Sequence, residues 1–462
     1  MPPVKPKALA WLAAAAIALA FGAATPTASA ATRFSWMQGF AAPGTPKRLD
    51  KVGLLKVGPP KAKNVLILNP GTSASAAYFA PLARDIVKRT TGWQVWAIER
   101  RENLLEDHSM LNRVKLGTAT PRQLFDYYLG FLSDSSVKTH FQFIQDSQVS
   151  FARRWGMRVT VEDLRQVVEA ARRNGHRVVM AGHSLGGSIT TAYATWNFHG
   201  KPGASDLDGL VFIDGGSNPV PTTPQQASTS LNALNSGSPW LKFGGIGAPF
   251  AGLFNIVGST LARVDPNGPS TLQTWPLLPS YFKTSVPVTN EAGYGSALDT
   301  KTSPPALAAA QAHLGHLAAS GDPRAWVRAG AITPIRRYED MFSGTGLIGR
   351  DGTGWYHPMR LTIDAGAVAE GNANPAQSIL DVRATRGREL PKRLRIYAFG
   401  AALGGKRVLD AARFLANQSG IPSRNLTLVD RHSTYAHNDP AGASPRNAFL
   451  DHLVTFLGRI GR

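Results

Sequence analysis

The residues with the sharpest chemical meaning are Gly182-His183-Ser184-Leu185-Gly186. A short apolar strand pattern, Val178 to Ala181, runs into them, and a helix pattern from Ser188 to Phe198 follows. A strand that turns abruptly into a helix pushes the residue at the turn out of the sheet. Glycines two positions to either side remove side chains that would collide across that turn. Ser184 is therefore expected to stand free as a nucleophile. The Leu185 N–H and the helix N-terminus would face the negative charge that develops beside it. The alternative is a chance pentapeptide in a chain with 46 Gly, and the flanking strand and helix argue against it.

The chain that must position this turn has 462 residues, 43% hydrophobic and 17% charged. That is enough apolar material for a large core, which excludes a disordered chain. There is no Cys, which excludes disulfide frameworks, thiolate zinc sites and cysteine nucleophiles. The net charge is +20, of which Lys5 and Lys7 supply two. Such a field suits an anionic lipid or polymer surface, or simply keeps the chain soluble. No block of five basic residues and no nucleic-acid motif is present, so nucleic acid is not an expected partner.

Lys5 and Lys7, an apolar run from Ala8 to Ala24 and the small residues Ala28-Ser29-Ala30 have the order of a secretory signal. An uncleaved anchor is the other reading. The run is short and Ala-rich for a span. Residues 1–30 are set aside, and an extracellular or cell-envelope location is expected.

Buried parallel strands are expected at residues 64–68, 94–98, 177–181, 209–213, 394–399 and 426–429, where short apolar runs stand between amphipathic stretches. Residues 52–57 read as an antiparallel edge. One helix should begin at Thr160, with Asp163 in a box-like position, and stop at Asn174-Gly175. Another carries Val408, Leu409, Ala412 and Leu415. The last has Ser444 as N-cap and a stripe of Phe449, Leu450, Leu453, Phe456 and Leu457. The strand–helix alternation breaks off and then resumes. That organisation is one α/β domain with an insertion: core at 31–215, with a helical piece near 101–157, an inserted segment at 216–390, and core again at 391–462.

The elbow and this alternation resemble the α/β-hydrolase fold family, over roughly residues 48–215 and 391–462. The resemblance implies a mostly parallel sheet with helices on both faces and a large cap insertion. It implies a second oxyanion donor after the strand Val65-Leu66-Ile67-Leu68. There the family usually has His-Gly, and this chain has Pro70-Gly71; by position the donor is the Thr72 N–H. It implies a base in the segment after the last strand, where His437 is favoured and His432 is the alternative. It implies an acid after the strand ending at Phe399, but Gly400-Ala401-Ala402-Leu403-Gly404-Gly405 holds no carboxylate. Some lipases of the family carry the acid one strand earlier, which here is Asp214. Asp410, Asp430 and Asp364 are weaker candidates, and a loop-capping role is the bland alternative for Asp214.

Two features compete with this reading. Residues 400–407 nearly spell a phosphate-binding loop, but Arg407 stands where Ser or Thr must hold Mg²⁺. His313 and His316 would share a helix face, with no third ligand for a metal. Neither a metal nor an organic cofactor is expected.

The insertion contains an uncharged stretch, residues 243–262. Pro249 can start a helix there, with Phe250, Leu253, Phe254, Val257 and Leu261 on one side. It is either an acyl-binding lid that meets lipid or a buried helix of the cap core. Trp275, Tyr281, Phe282 and Trp355-Tyr356-His357-Pro358 either line a pocket or fill the cap.

The resemblance implies a secreted serine hydrolase acting on carboxylic esters, lipase- or esterase-like. An acyltransferase or serine peptidase could use the same residues. A non-catalytic basic binding protein on the same scaffold is the rival from another class. If residues 1–30 are a signal, N-terminal sequencing of the exported protein should begin at Ala31; a product that still contains Lys5 and Lys7 would overturn it.

Overall fold

Runs of Val, Leu, Ile and Ala form the centre of an eight-stranded sheet because every side chain along them is covered on both faces. The computed structural model describes residues 31–173, 175–243 and 245–461. The signal expected at residues 1–30, and Asn174 of the expected helix stop, lie outside the described residues. The strands are β1 (Thr32–Gln38), β2 (Lys51–Val57), β3 (Asn64–Asn69), β4 (Trp93–Glu99), β5 (Arg177–His183), β6 (Gly209–Ile213), β7 (Arg395–Gly400) and β8 (Leu426–Asp430). Their order is β1-β2-β4-β3-β5-β6-β7-β8. β2 is antiparallel to both its neighbours, and the pairs from β4 to β8 are parallel.

The register brings four strand ends to one level. Asn69 lies opposite Gly182, His183 opposite Ile213, and Ile213 opposite Phe399. The carboxyl ends of β3, β5, β6 and β7 are thereby aligned, and the loops that leave them meet. The chain departs from β3 toward β4 on one side and β5 lies on the other. Between β3 and β5 the order reverses, which is where α/β sheets open a crevice.

The helices around the sheet and the cavity include α1 (Ala80–Arg89), α2 (Pro121–Tyr128), α3 (Met157–Arg172), α4 (Leu185–Thr195), α5 (Ala248–Val264), α6 (Asn290–Leu298), α7 (Ile335–Ser343), α8 (Lys406–Gln418) and α9 (Ala448–Ile460). One sheet face is covered by α1 and α9, and its core continues into α6 and α7 through Tyr294, Tyr338 and Phe342. The other face carries α3, α4 and α8. A third core joins α2 to α5, where Leu124 and Phe125 meet Leu253, Ile256 and Val257 around Trp275, Trp355 and Tyr356. Those three aromatics fill that core. Among the described residues no helix is long and apolar enough to cross a membrane.

Four expectations are corrected. β2 is not the sheet edge, because β1 pairs along its whole length from Thr32↔Val57 to Gln38↔Lys51. Helix α3 begins at Met157, and Thr160 lies inside it with its hydroxyl on the Gly156 carbonyl. The cap comes from far away, as Asp364 Oδ2 accepts the Met157 N–H at 2.9 Å. Asp163 instead pairs with Arg101 and accepts the Phe40 N–H at 2.7 Å. The N-cap of α9 is Asn447, whose Oδ1 accepts the Leu450 N–H, not Ser444. His313 and His316 share no helix: His316 is in a two-residue strand, and His313 precedes it in chain without regular structure.

Removing the distant cap tests this account of α3. Asp364→Ala should destabilise the protein by about 2 kcal/mol, since a lost N-cap contributes roughly 1 kcal/mol and Arg360 also loses its partner. Urea unfolding measures it, and an unchanged midpoint would show that the cap is dispensable.

Candidate active site

Ser184 sits between β5 and α4 with φ 56° and ψ −127°, a backbone state an L-residue holds only when its surroundings impose it. The glycines explain how. A methyl on Gly182 would lie 1.9 Å from the Gly186 carbonyl oxygen, and one on Gly186 would lie 2.2 Å from that of Asn69. The turn brings strand end, helix start and the β3 loop into backbone contact. The Ser184 hydroxyl makes no hydrogen bond among the described residues and faces a cavity.

Asp214 follows β6, also at positive φ, 44°. It is 2% exposed, and its Oδ2 lies 2.7 Å from His437 Nδ1. The neutral loop after β7 explains how a carboxylate survives there. Its main-chain N–H groups converge on Asp214: Ala401, Gly404 and Gly405 donate to Oδ1 at 2.7, 3.0 and 3.2 Å, and Leu403 to Oδ2 at 3.2 Å. A methyl on Gly404 would intrude to 2.8 Å from Oδ1. Burial pushes the Asp214 pKa up, but the hydrogen bond and charge of His437 and the Ala401 N–H outweigh it. The carboxyl is held below its usual range. The stretch that resembles a phosphate loop is thus an anion cradle for the chain's own carboxylate. That role was missed; its signal was a glycine-rich loop at the level where an acid was expected.

His437 is buried, with its ring on the wall of the same cavity as Ser184. His432 is not part of this group, since it is exposed and pairs with Asp430 at 2.6 Å. Asp410 pairs on the surface with Arg413, and Asp364 caps α3. His313 binds Asp439 at 2.6 Å, two residues after His437.

His183, the residue before the nucleophile, was not singled out. Its Nε2 is 2.9 Å from the His437 carbonyl, and the two rings lie 4.4 Å apart. Burial and the neighbouring His437 charge lower its pKa to about 3, so it stays neutral and donates that N–H. Tyr78 stacks on it and donates to Asn438 Oδ1 at 2.8 Å.

The N–H groups of Leu185 and Thr72 have no acceptor among the described residues, and Thr72 lines the cavity. A methyl on Gly71 would lie 2.9 Å from Ser184 Cβ. The Thr72 turn therefore lies against the nucleophile. It is braced from behind. The buried Arg100 guanidinium donates to the carbonyls of Pro70, Gly71 and Ala74 at 3.0–3.1 Å, and to Glu102 at 2.7 Å. Ser73 has φ 48° and donates its N–H to His357 Nδ1 at 3.3 Å. With the carbonyls of this turn held backward, its free N–H is left for the cavity side.

The cavity encloses about 290 Å³. Helix α5 contributes Ala251, Phe254, Gly258 and Leu261, while Phe250 stacks on Phe143 and Leu253 and Val257 enter the third core. The uncharged stretch therefore serves as both cavity wall and cap core. Tyr281 and Phe282 also line the cavity. No Asp, Glu, Lys or Arg is among its lining residues.

Among the described residues one His/carboxylate group has ligand atoms close enough for a metal: Glu106, His108 and Asp351. Hydrogen bonds account for it. His108 Nε2 lies 2.8 Å from Asp351 Oδ2 and 3.2 Å from Glu106 Oε2. Burial lowers its pKa, yet these two partners more than reverse that, to about 9.

No family model and no curated protein matches this sequence. Solved structures similar to it include a candidate lipase from Sulfolobus solfataricus, at 15% identity and TM-score 0.47, covering 93% of this chain and 94% of that one. A carboxyl esterase from Bacillus coagulans is 11% identical, covers 94% and 99%, and has TM-score 0.40. A monoglyceride lipase from Saccharomyces cerevisiae is 10% identical, covers 93% and 95%, and has TM-score 0.38. These scores are below 0.5. What defines the architecture is this chain's own sheet order, its strand–Ser184–helix elbow and the levelled loops after β3, β5, β6 and β7: the chain has the α/β-hydrolase fold.

Proposed function

We propose that this protein hydrolyses carboxylic esters with Ser184 as nucleophile, His437 as general base and Asp214 as the acid that orients it. The observation that carries the reading is one juxtaposition. Ser184 opens into an uncharged cavity shared with a His437 whose other nitrogen is already bound to a buried carboxylate.

In this mechanism His437 Nε2 takes the Ser184 proton as Oγ attacks the ester carbonyl. Asp214 keeps the proton on Nδ1 and stabilises the imidazolium. The Leu185 and Thr72 N–H groups receive the oxyanion. His437 then protonates the leaving alcohol, and a water activated by the same imidazole releases the acid. Free Ser184 and His437 need not be hydrogen-bonded before substrate arrives, since such contacts tighten in the complex. The uncharged lining favours a neutral, lipase- or esterase-type substrate. Phe243 and Tyr281 line the cavity and are also exposed, so its mouth suits a lipid-like ester. We place the enzyme outside the cytoplasm after removal of residues 1–30.

A fluorophosphonate probe should label wild type and not Ser184→Ala, which should also lose at least about a hundredfold in kcat. Labelling of Ser184→Ala would reject the nucleophile. Asp214→Asn should cost roughly a hundred- to ten-thousand-fold, about 3–5 kcal/mol of barrier. Asp430→Asn and Asp410→Asn should each cost less than about tenfold; a reversed pattern would relocate the acid.

The bracing of the Thr72 turn gives a separate test. Arg100→Lys keeps a charge beside Glu102 but cannot bridge three carbonyls with a planar fork. It should lower kcat by about tenfold or more with little change in KM, because the oxyanion donor loses its position. Steady-state kinetics decide this, and an unchanged kcat would show that the turn holds itself.

A further inference from the structure

The segment that carries His437 is held by the insertion as well as by the core. Ala436, His437, Asn438 and Asp439 form one turn. The Asp439 N–H donates to the Ala436 carbonyl at 3.1 Å, and Asp439 Oδ2 accepts the Ala436 N–H at 2.7 Å. His437 is the first interior residue of that turn, so its main chain is placed by whatever holds Asp439. Asp439 is fully buried. Its carboxylate reaches out of the turn into the insertion. Oδ2 also accepts from His313 Nδ1 at 2.6 Å, and Oδ1 accepts from the Thr333 hydroxyl at 2.7 Å and the His313 N–H at 3.1 Å.

His313 and Thr333 are tied to each other, since the His313 carbonyl accepts the N–H groups of Ile332 and Thr333, both at 3.0 Å. The Ile332 carbonyl in turn accepts the Ser444 N–H at 3.1 Å, and a methyl on Gly442 would lie 2.5 Å from Thr333 Cγ2. Two insertion segments therefore grip the base loop along its length. A carboxylate without water needs donors that hold its charge. It can only accept, so His313 Nδ1 is the protonated nitrogen. The hydrogen bond and charge of Asp439 keep the His313 pKa above its ordinary value, against partial burial. Asn438 makes a parallel connection. Its Nδ2 donates to the carbonyls of Ala309 and Gln311 at 3.1 and 3.2 Å, and its N–H to that of Gln311 at 3.1 Å. Ala309 and Ala310 line the cavity. Residues 309–313 thus serve both as cavity wall and as support for the base loop.

An imidazole that must serve both Asp214 and Ser184 tolerates little displacement, since a misplacement of about 1 Å can cost roughly a hundredfold in rate. Resting on the ester-hydrolase reading, we propose that His313 and Thr333 are positioning residues for the base: through Asp439 they fix the turn that aims His437 at Ser184. Neither is among the lining residues of the cavity, so their effect on the reaction passes through Asp439. The insertion then completes the active site as well as covering it.

The test counts kcat on a p-nitrophenyl ester per Ser184 titrated to end point by fluorophosphonate, so unfolded protein drops out. His313→Ala should lower this kcat by about tenfold or more, with KM within about twofold of wild type. His313→Asn, whose amide nitrogen takes the place of Nδ1, should keep at least about half of the wild-type kcat. Thr333→Val keeps the shape without the donor and should lower kcat by about threefold or more. A purely structural contact would reduce the titratable fraction and leave kcat per site unchanged. That result, or a His313→Asn as impaired as His313→Ala, overturns the proposal. If His313→Ala yields no titratable protein, Thr333→Val decides alone. If wild type neither labels nor turns over an ester, the hydrolase reading has failed, and hydrogen exchange judges the bracing instead. The main-chain amides between Ala436 and Ala443 should then exchange about tenfold or more faster in His313→Ala than in wild type, and His313→Asn should match wild type. Equal exchange in all three proteins would overturn the bracing.

Discussion

The structure depends on keeping one carboxylate charged in a place without water. Asp214 is buried at the end of β6, and an isolated buried charge would take up a proton or pull the fold apart. Four main-chain N–H groups and the His437 imidazole replace its hydration. This solution requires the β7 loop to stand level with the end of β6, which the register Ile213↔Phe399 supplies. It also requires a loop that can bend its amides inward, and Gly404 and Gly405 allow that.

The same principle of bracing from behind recurs on the other side of Ser184. The β3 turn is free on its N–H side because Arg100 holds its carbonyls and His357 accepts from Ser73. Both braces are buried and point away from the cavity's reacting atoms. The insertion then closes the space above. It turns an apolar wall toward Ser184 and packs its other side against α2 and the aromatic core around Trp355. Charge is confined to the supporting layers and the chamber itself is neutral, so electrostatic interactions inside it are screened little by water.

Much of this was legible in the sequence wherever the constraint is local. The elbow is one case. Gly182 and Gly186 collide with nothing only because they are glycine, and strand and helix patterns flank them within a few residues. The central strands are another, since burial on both faces writes itself as uninterrupted apolar runs. β1 was not legible for the complementary reason: its burial alternates along an edge, and Thr, Arg, Ser and Gln dilute the apolar signal.

What the sequence by itself determined, then, is the nucleophile turn, the parallel sheet around it and the small set of His and Asp residues at strand ends. Only the tertiary structure decided which of these meet. Asp214 reaches the Ala401 amide across 187 positions and His437 across 223. Met157 takes its cap from Asp364 across 207 positions, against the local rule that pointed to Thr160. Such contacts are set by sheet register and by which loops a core brings level. A cap borrowed from a distant carboxylate and a cradle made of main-chain N–H groups carry no local code that a linear reading could recognise.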